Sequence, residues 1–280
     1  MPAPEPVRLI AVDIDGTLLD GASRLPDANR QAVQAAAARG VDVVLATGRA
    51  FHHARPVAER LQAPVTLIVN NGALVKTRAG ETLARRPVPR GLARALVADT
   101  RRVREGAALI FDRSDDRQYV YERIDWSHPQ RRWYYERNRV YMTRVEPLET
   151  ALDDDPVQVA FTGGVADMRV LAERVRELPC ARTLTVTLTE YEQRDFSLLD
   201  VTAEGCSKGA ALRDWAARRR VPRAAIMAVG DNLNDLDMLE LAGHPVVMGN
   251  AVAELKRCGW PLTDGHDEAG LARAIRERVL

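Results

Sequence analysis

The sequence predicts an α/β protein in which a parallel-sheet core is interrupted by an inserted α+β domain. Near both ends of the chain, short and nearly continuous apolar runs alternate with helical segments. This alternation is typical of a parallel sheet that helices cover on both faces. The middle of the chain lacks it, and a length of 280 residues is enough for about two domains.

Predicted strands and helices alternate in two stretches, one near each end of the chain. In the first stretch an alanine-rich helix is expected to begin at Asp27, a favourable N-cap residue, and to end at Gly40. In the second, Ser207 is expected to cap the helix that follows it. The predicted strands are residues 8–13, 41–46, 65–69, 224–229 and 245–248, and the predicted helices are residues 27–39, 50–61, 207–220, 234–242 and 271–280.

The middle of the chain contains both strand and helix candidates, but they do not alternate regularly as they do near its two ends. Its strand candidates are residues 107–111, 119–122, 157–161 and 184–188, and its helix candidates lie near 90–104 and 166–178. We therefore predict that residues 1–83 and 201–280 form the core domain and that residues 84–200 form an inserted domain. Seven of the 14 aromatic residues lie between 119 and 141, among several arginines. They could line a binding wall for a sugar or cofactor ring, but packing on a sheet face or in a dimer interface is the stronger explanation.

Composition excludes several classes of protein. Forty basic and 39 acidic residues give a net charge of +1, which fits neither a disordered chain nor a strongly basic nucleic-acid binder. No apolar run approaches the roughly 20 residues that span a bilayer, and the first residues do not resemble a secretory signal. The three cysteines have no C-x-x-C spacing, which argues against a structural zinc site. We expect a soluble, cytoplasmic protein that binds neither nucleic acid nor membrane.

Two carboxylates follow the first predicted strand. Asp13 and Asp15 are two residues apart, so strand geometry directs both side chains to the same side. Ligands of open parallel sheets bind beyond the carboxyl ends of the strands. Carboxylates this close repel each other and favour a cation or unequal protonation. Asp13 could hold a divalent metal and act as a nucleophile while Asp15 exchanges a proton, although a simple Asp-Gly turn would also account for these residues.

Two later strand ends carry polar residues as well. The second strand ends at Thr47-Gly48, where a hydroxyl and free backbone N–H groups could bind phosphate, although Thr-Gly is also a common turn. The strand at 224–229 runs into a cluster of carboxylates and amides. The members of this cluster are Asp231, Asn232, Asn234 and Asp235. Asp231 is placed as a second metal ligand, whereas a helix N-cap at Asn234 would explain only one member of the cluster.

Lysine is scarce in this chain, because 37 of the 40 basic residues are arginine. Lys208 opens a predicted helix, where a cation opposes the helix dipole unless an anion lies nearby. A compact ammonium group suits one phosphoryl or carboxylate oxygen. The alternative is a solvated lysine without a function.

Taken in order, four segments resemble the signature motifs of the haloacid dehalogenase superfamily of phosphohydrolases. They are Asp13-Ile-Asp15-Gly-Thr-Leu-Leu, Thr47-Gly-Arg49, Ser207-Lys208-Gly209 and Gly230-Asp231-Asn-Leu-Asn234-Asp235. Asn70-Asn71-Gly72-Ala73 and Met248-Gly249-Asn250-Ala251 also resemble the Cof-like branch of that superfamily. This resemblance implies a Rossmann-like core, and it implies that residues 84–200 are a large α/β cap that sets substrate specificity.

The resemblance also implies a Mg²⁺-dependent phosphatase that acts on a small phosphorylated metabolite, by analogy a sugar phosphate. Asp13 would form an aspartyl-phosphate, and Asp15 would be the general acid and base. The implied Mg²⁺ ligands are Asp13, the main-chain carbonyl of Asp15, and Asp231. The implied phosphate-binding residues are Thr47, Gly48, Lys208 and Asn234, and Asp235 would orient Lys208 or a metal-bound water.

Two other functions remain open. A phosphomutase or phosphotransferase acting on sugar phosphates would form an isomer instead of free phosphate. A phospho-accepting receiver protein also has an acidic pair after its first strand, but its acceptor Asp follows the third strand, where this chain has Asn70-Asn71. Neither a monomer nor a homodimer is excluded.

Overall fold

The computed structural model describes residues 5–102 and 106–280. These residues divide into two compact units. The first consists of the chain up to Arg85 together with Ser207–Leu280, and the second is Arg86–Cys206. The expected domain limits, at 83/84 and 200/201, lie near these divisions. Within the described ranges, no helix is both long and apolar enough to cross a bilayer.

The strands of the described residues form two β-sheets. In chain order they are β1 (Leu9–Val12), β2 (Asp42–Ala46), β3 (Thr66–Val69), β4 (Leu74–Thr77), β5 (Thr82–Arg85), β6 (Ala107–Ile110), β7 (Tyr119–Tyr121), β8 (Met142–Arg144), β9 (Gln158–Gly163), β10 (Leu184–Tyr191), β11 (Phe196–Ala203), β12 (Ile226–Gly230) and β13 (His244–Val247). The α-helices are α1 (Asp27–Ala38), α2 (Phe51–Leu61), α3 (Arg90–Asp99), α4 (Pro129–Asn138), α5 (Val165–Glu177), α6 (Lys208–Arg218), α7 (Leu236–Leu241), α8 (Ala253–Lys256) and α9 (Gly270–Arg278).

The first unit is built on a seven-stranded sheet of order β13-β12-β1-β2-β3-β4-β5. The five strands from β13 to β3 are parallel, and β4 and β5 continue the sheet in antiparallel orientation. Every residue of β1 is fully buried, as expected for an apolar strand with both faces covered. Helix α1 packs against α2 and α9, while α6 packs against α7. The predicted α/β core is therefore confirmed.

At two helix starts in this unit, the N-cap differs from the expected residue. Asp27 is the first residue of α1, and its N-cap is Pro26. The helix expected at 234–242 begins as a 3₁₀ turn that leads into α7, and Asn232 instead of Asn234 is its N-cap. The predicted cap of α6 is confirmed, because the Ser207 side chain accepts a hydrogen bond from the backbone of Ala210.

The second unit has its own six-stranded sheet, of order β10-β11-β9-β6-β7-β8. One face of this sheet packs against α3 and α5 around a separate hydrophobic core. Alternation along β9 and β11 sends Val159, Phe161 and Leu199 into that core, so Gln158 and Asp200 point to the opposite face. Gln158 and Asp200 are buried there as well.

The aromatic segment of the second unit forms β7 and the unpredicted helix α4. Tyr134 of α4 meets Tyr119 of β7 edge-on, with ring centroids 6.0 Å apart. Trp126 lies between Tyr121 and Tyr135, at 5.3 and 4.6 Å. These rings pack on one another and on the sheet, which supports the packing interpretation of the cluster.

Candidate active site

Four neighbouring parallel strands of the first unit end close together. In the sheet, β12, β1, β2 and β3 are adjacent, and their carboxyl ends lead directly into Asp231, Asp13, Thr47 and Asn70. Because parallel strands point the same way, these residues share one edge of the sheet. Ligands of open α/β sheets bind at such an edge, so this is the candidate active site.

Lys208 lies at the centre of this edge. Its ammonium Nζ donates to Asp13 Oδ1 at 2.6 Å and to Asp235 Oδ1 at 2.7 Å. All three side chains are buried, with Lys208 only 1% exposed. Burial alone would lower the pKa of Lys208, but the two carboxylates outweigh it and raise that pKa, so the lysine is charged. Lys208 is therefore not a solvated lysine.

Negative charge exceeds positive charge around Lys208. One oxygen each of Asp13, Asp231 and Asp235 lie within 4.8 Å of one another, and this three-carboxylate cluster faces a single ammonium group. Burial, with the neighbouring carboxylates Asp235 and Asp231, raises the pKa of Asp13 well above its ordinary value, although Lys208 opposes the rise. Burial and Asp235 raise the pKa of Asp231 to about 6. The cluster therefore has the charge and the oxygen donors to hold a cation.

Asp235 is fully engaged within the protein. Its Oδ2 accepts the backbone N–H groups of Asp231 and Asn232, both at 3.0 Å, while its Oδ1 accepts from Lys208. The carboxylate therefore fixes the loop that carries Asp231 and also fixes the lysine. Such contacts allow Asp235 to orient Lys208.

Asp231 is held from the loop after β1. Thr17 Oγ1 donates to Asp231 Oδ1 at 3.0 Å. Gly16 has a φ of +81°, and a Cβ there would overlap the Asp231 carboxylate. Glycine is thus required at position 16 both by the backbone conformation and by the close approach of Asp231. Asn250 Nδ2 donates to the carbonyl oxygen of Gly16 at 2.9 Å and ties down the same loop.

Asp15 is paired with an arginine from the loop after β2. Arg49 Nε donates to Asp15 Oδ2 at 2.7 Å, and Arg49 Nη2 donates to Asp15 Oδ1 at 2.5 Å. This bidentate fork fixes the plane of the carboxylate as well as its position. The Asp15 side chain is 55% exposed, unlike the buried Asp13.

Gly48 and Asn234, two of the predicted phosphate-binding residues, both lie next to Asn71. The Thr47 hydroxyl accepts the backbone N–H of Arg49 at 3.1 Å, which shapes the turn around Gly48. Asn234 Nδ2 donates to Asn71 Oδ1 at 3.4 Å. The same Asn71 carboxamide lies against Gly48, where a Cβ would come within 3.1 Å of Asn71 Oδ1.

The structure thus brings the sequence-predicted residues to one edge of the first unit. Asp13, Lys208, Asp231 and Asp235 form a continuous cluster, and Asp15 enters the site paired with Arg49. Sequence reasoning assigned no role to Arg49 or Asn71, although both stand in motifs that it had singled out. Their contacts depend on side-chain directions that motif spacing does not reveal.

Comparisons with known proteins give relatives along most of the chain. A sequence model of haloacid dehalogenase-like hydrolases matches residues 10–275. The chain is 29% identical over 274 residues to a 5-amino-6-(5-phospho-D-ribitylamino)uracil phosphatase of Bacillus subtilis, covering 98% of this chain and 96% of the relative. It is 30% identical over 260 residues to an HMP-PP phosphatase of Cronobacter sakazakii, covering 89% and 86%. A haloacid dehalogenase-like hydrolase from Bacteroides thetaiotaomicron has the same fold, with a TM-score of 0.81 at 22% identity over 97% of this chain and 99% of that one.

Proposed function

The chain belongs to the family of haloacid dehalogenase-like hydrolases, and we propose that it is a Mg²⁺-dependent phosphatase of small phosphorylated metabolites. The observation that carries this proposal is the buried Lys208, which bridges Asp13 and Asp235 at the ends of parallel strands. A buried carboxylate beside a fixed ammonium group is suited to attack on phosphorus, because the same cation stabilises charge on the group transferred.

In the first half of the reaction, an oxygen of Asp13 attacks phosphorus and the bond from phosphorus to the leaving oxygen breaks. Asp15 donates a proton to that leaving oxygen. The products of this half are the dephosphorylated metabolite and an aspartyl-phosphate on Asp13. Both oxygens of Asp15 accept hydrogen bonds from Arg49 in the structure. Asp15 therefore has to hold the proton that it donates while it lies next to the Arg49 guanidinium group.

In the second half, a water molecule attacks phosphorus and the bond to Asp13 breaks. Asp15 takes a proton from this water, which restores its starting protonation state and releases inorganic phosphate. Thr47, Gly48, Lys208 and Asn234 would bind the phosphoryl oxygens through their hydroxyl, backbone, ammonium and amide donors. Asp235 would keep Lys208 in place throughout.

The site fits a divalent cation. Three carboxylates face one ammonium group, and Mg²⁺ prefers oxygen donors of this kind. Asp13, the main-chain carbonyl of Asp15, and Asp231 would hold the ion, since Asp235 is already occupied by Lys208 and two backbone N–H groups. When bound, the ion would neutralise charge on the phosphoryl oxygens.

A sugar phosphate, or a related phosphorylated polyol, is the substrate class that we propose. The Bacillus subtilis relative is named for a substrate that carries a phosphorylated ribityl group, and the relative from Cronobacter sakazakii is named for HMP-PP. We assign the choice among such substrates to the second unit, as a cap inserted between the two halves of the core. The cytoplasm, where phosphorylated metabolites are made, is the proposed location.

Replacement of the nucleophile tests this proposal. Asp13→Asn should reduce release of phosphate from p-nitrophenyl phosphate by about a thousandfold or more, because a carboxamide cannot form the covalent intermediate. The exposed Asp27→Asn is the matched control and should retain full activity. Circular dichroism would establish that both variants fold. Undiminished turnover by Asp13→Asn would contradict the proposal, and so would the formation of an isomer without free phosphate when the wild-type protein is given a sugar phosphate.

A further inference from the structure

The turn after β3 contacts three of the four motif segments. Asn70 N–H donates to the carbonyl oxygen of Arg49 at 2.9 Å, and Asn71 N–H donates to that of Thr47 at 3.1 Å. A Cβ at Gly72 would overlap the carbonyl oxygen of Ser207, the N-cap of the helix that begins with Lys208. This turn therefore lies directly against the Thr47–Arg49 loop and the start of α6.

The backbone of the turn is unusual. Asn70, Asn71 and Gly72 have φ values of +50°, +51° and +98°, all in the left-handed region. Within residues 5–102 and 106–280, Asn70 and Asn71 are the only adjacent non-glycine residues with positive φ. Such conformations are unfavourable for residues with a Cβ, and asparagine tolerates them better than most. In this conformation the Asn71 carboxamide lies next to Asn234 and Gly48.

The Asn71 carboxamide stands between two groups that the proposed mechanism assigns to phosphate. Its Oδ1 accepts from Asn234 Nδ2 at 3.4 Å. Its oxygen, nitrogen and carbon lie 3.1 to 3.5 Å from the place where a Cβ would stand on Gly48. The carboxamide thus limits the side-chain rotation of Asn234 and supports the backbone of Gly48 from one side.

We infer that Asn71 is a positioning residue, which orients the Asn234 amide and the Gly48 backbone toward the phosphoryl group. This inference rests on the proposed phosphatase function. Asn71 acts through Asn234 and Gly48 and need not touch the substrate. Glycine at position 71 should therefore preserve the turn and remove only the carboxamide.

Asn71→Gly separates this role from a structural one, because glycine adopts a left-handed φ freely. Gln62 provides a matched control: its φ and ψ of 53° and 34° nearly equal the 51° and 34° of Asn71, and it lies exposed at the end of α2. Both glycine variants should melt at or above the wild-type temperature. Only Asn71→Gly should lose kcat/KM for p-nitrophenyl phosphate, by about tenfold or more, with a similar loss of affinity for orthovanadate.

A double-mutant cycle with Asn234→Ala identifies the route of the effect. If Asn71 acts through Asn234 as well as Gly48, Asn71→Gly should lower kcat/KM by a clearly smaller factor when Asn234 is already alanine than it does alone, and the part that remains is the contribution through Gly48. An equal loss in both backgrounds, or wild-type kinetics in Asn71→Gly, overturns the inference while Asp13→Asn remains inactive. Full activity of Asp13→Asn would instead show that the proposed function has failed, and the inference with it.

Discussion

At the scale of single residues, Arg49 contacts the Asp15 carboxylate directly through two hydrogen bonds. Its guanidinium group binds both oxygens of that carboxylate, and a fork of this kind fixes orientation better than one ammonium contact. In the proposed mechanism Asp15 must aim its proton at the leaving oxygen. Arg49 would therefore affect the step that depends on protonation more than the attack by Asp13.

Substitution of Arg49 should consequently depend on the leaving group. Arg49→Ala should lower kcat/KM by about tenfold or more for an alkyl phosphate, whose leaving oxygen needs a proton. The loss should be smaller for p-nitrophenyl phosphate, because p-nitrophenolate leaves readily without one. Arg49→Lys, which keeps the charge and loses the fork, should fall between Arg49→Ala and the wild type. Equal losses for both substrates would show that Arg49 does not act through Asp15.

The sequence predicted which residues meet at the site better than it predicted how they are held. Asp13, Thr47 and Asp231 could be placed because each directly follows an apolar strand, and parallel strands end together. The role of Asn71 could not be predicted, because it depends on a left-handed φ that asparagine only occasionally adopts. The pairing of Arg49 with Asp15 likewise depends on the direction of a long, flexible side chain.

At the scale of secondary-structure elements, the buried parallel strands were easier to predict from the sequence than the less buried ones. The parallel strands of the core read as apolar runs because both of their faces are covered. Strands β4 and β5 were not predicted, because Lys76 interrupts the apolar run of the first and no residue of the second is buried. Helix α4 was not predicted, because its aromatic residues are consecutive and do not recur at the three- to four-residue spacing of an apolar helix face.

Strand β11 carries a feature that sequence patterning disfavours, a buried carboxylic acid. Asp200 is 8% exposed, and Gln158 of the neighbouring strand β9 donates to its Oδ1 at 2.5 Å. Burial raises the pKa of Asp200 to about 6, and the hydrogen bond from Gln158 only partly offsets the rise. The folded second unit therefore binds a proton at Asp200 more tightly than the unfolded chain does.

This pKa shift predicts how stability depends on pH. The stabilisation from protonated Asp200 is fully present below about pH 4 and is lost as the pH rises through about 6, to a total of roughly 3 kcal/mol. Asp200→Asn cannot ionise, so its stability relative to wild type should increase between pH 5 and pH 8. Urea unfolding of both proteins at the two pH values measures this difference directly. A difference that does not change with pH would show that Asp200 is already ionised in the folded protein at pH 5.

At the scale of the whole molecule, charge is balanced globally and unbalanced locally. The chain has a net charge of +1, yet its first unit concentrates Asp13, Asp231 and Asp235 around one lysine. A near-neutral protein offers little long-range attraction to an anionic substrate, so binding must come from the local donors and a cation. The second unit has its own hydrophobic core, so the effects of this cluster on stability should be confined to the first.

Mg²⁺ should therefore stabilise the first unit selectively. An ion that binds only the folded state at 100 times its Kd contributes about 2.7 kcal/mol, or roughly 5 to 10 °C in Tm. Hydrogen exchange should slow in peptides that contain the ends of β1 and β12, and remain unchanged in β9 and β11. Without the ion, Asp231→Asn should be at least as stable as the wild type, because the substitution removes one of the mutually repelling carboxylates.

The same variant provides the control for metal binding. Asp231→Asn should lose most of the Mg²⁺-dependent rise in Tm, whereas Asp200→Asn, altered only in the second unit, should keep all of it. EDTA should return the wild-type Tm and exchange rates to their values without metal, and it should abolish release of phosphate. An equal rise in Tm for Asp231→Asn and the wild type would mean that the ion binds elsewhere. The excess of carboxylates around Lys208 would then have to be balanced by protonation of Asp13 or Asp231, consistent with the raised pKa of each.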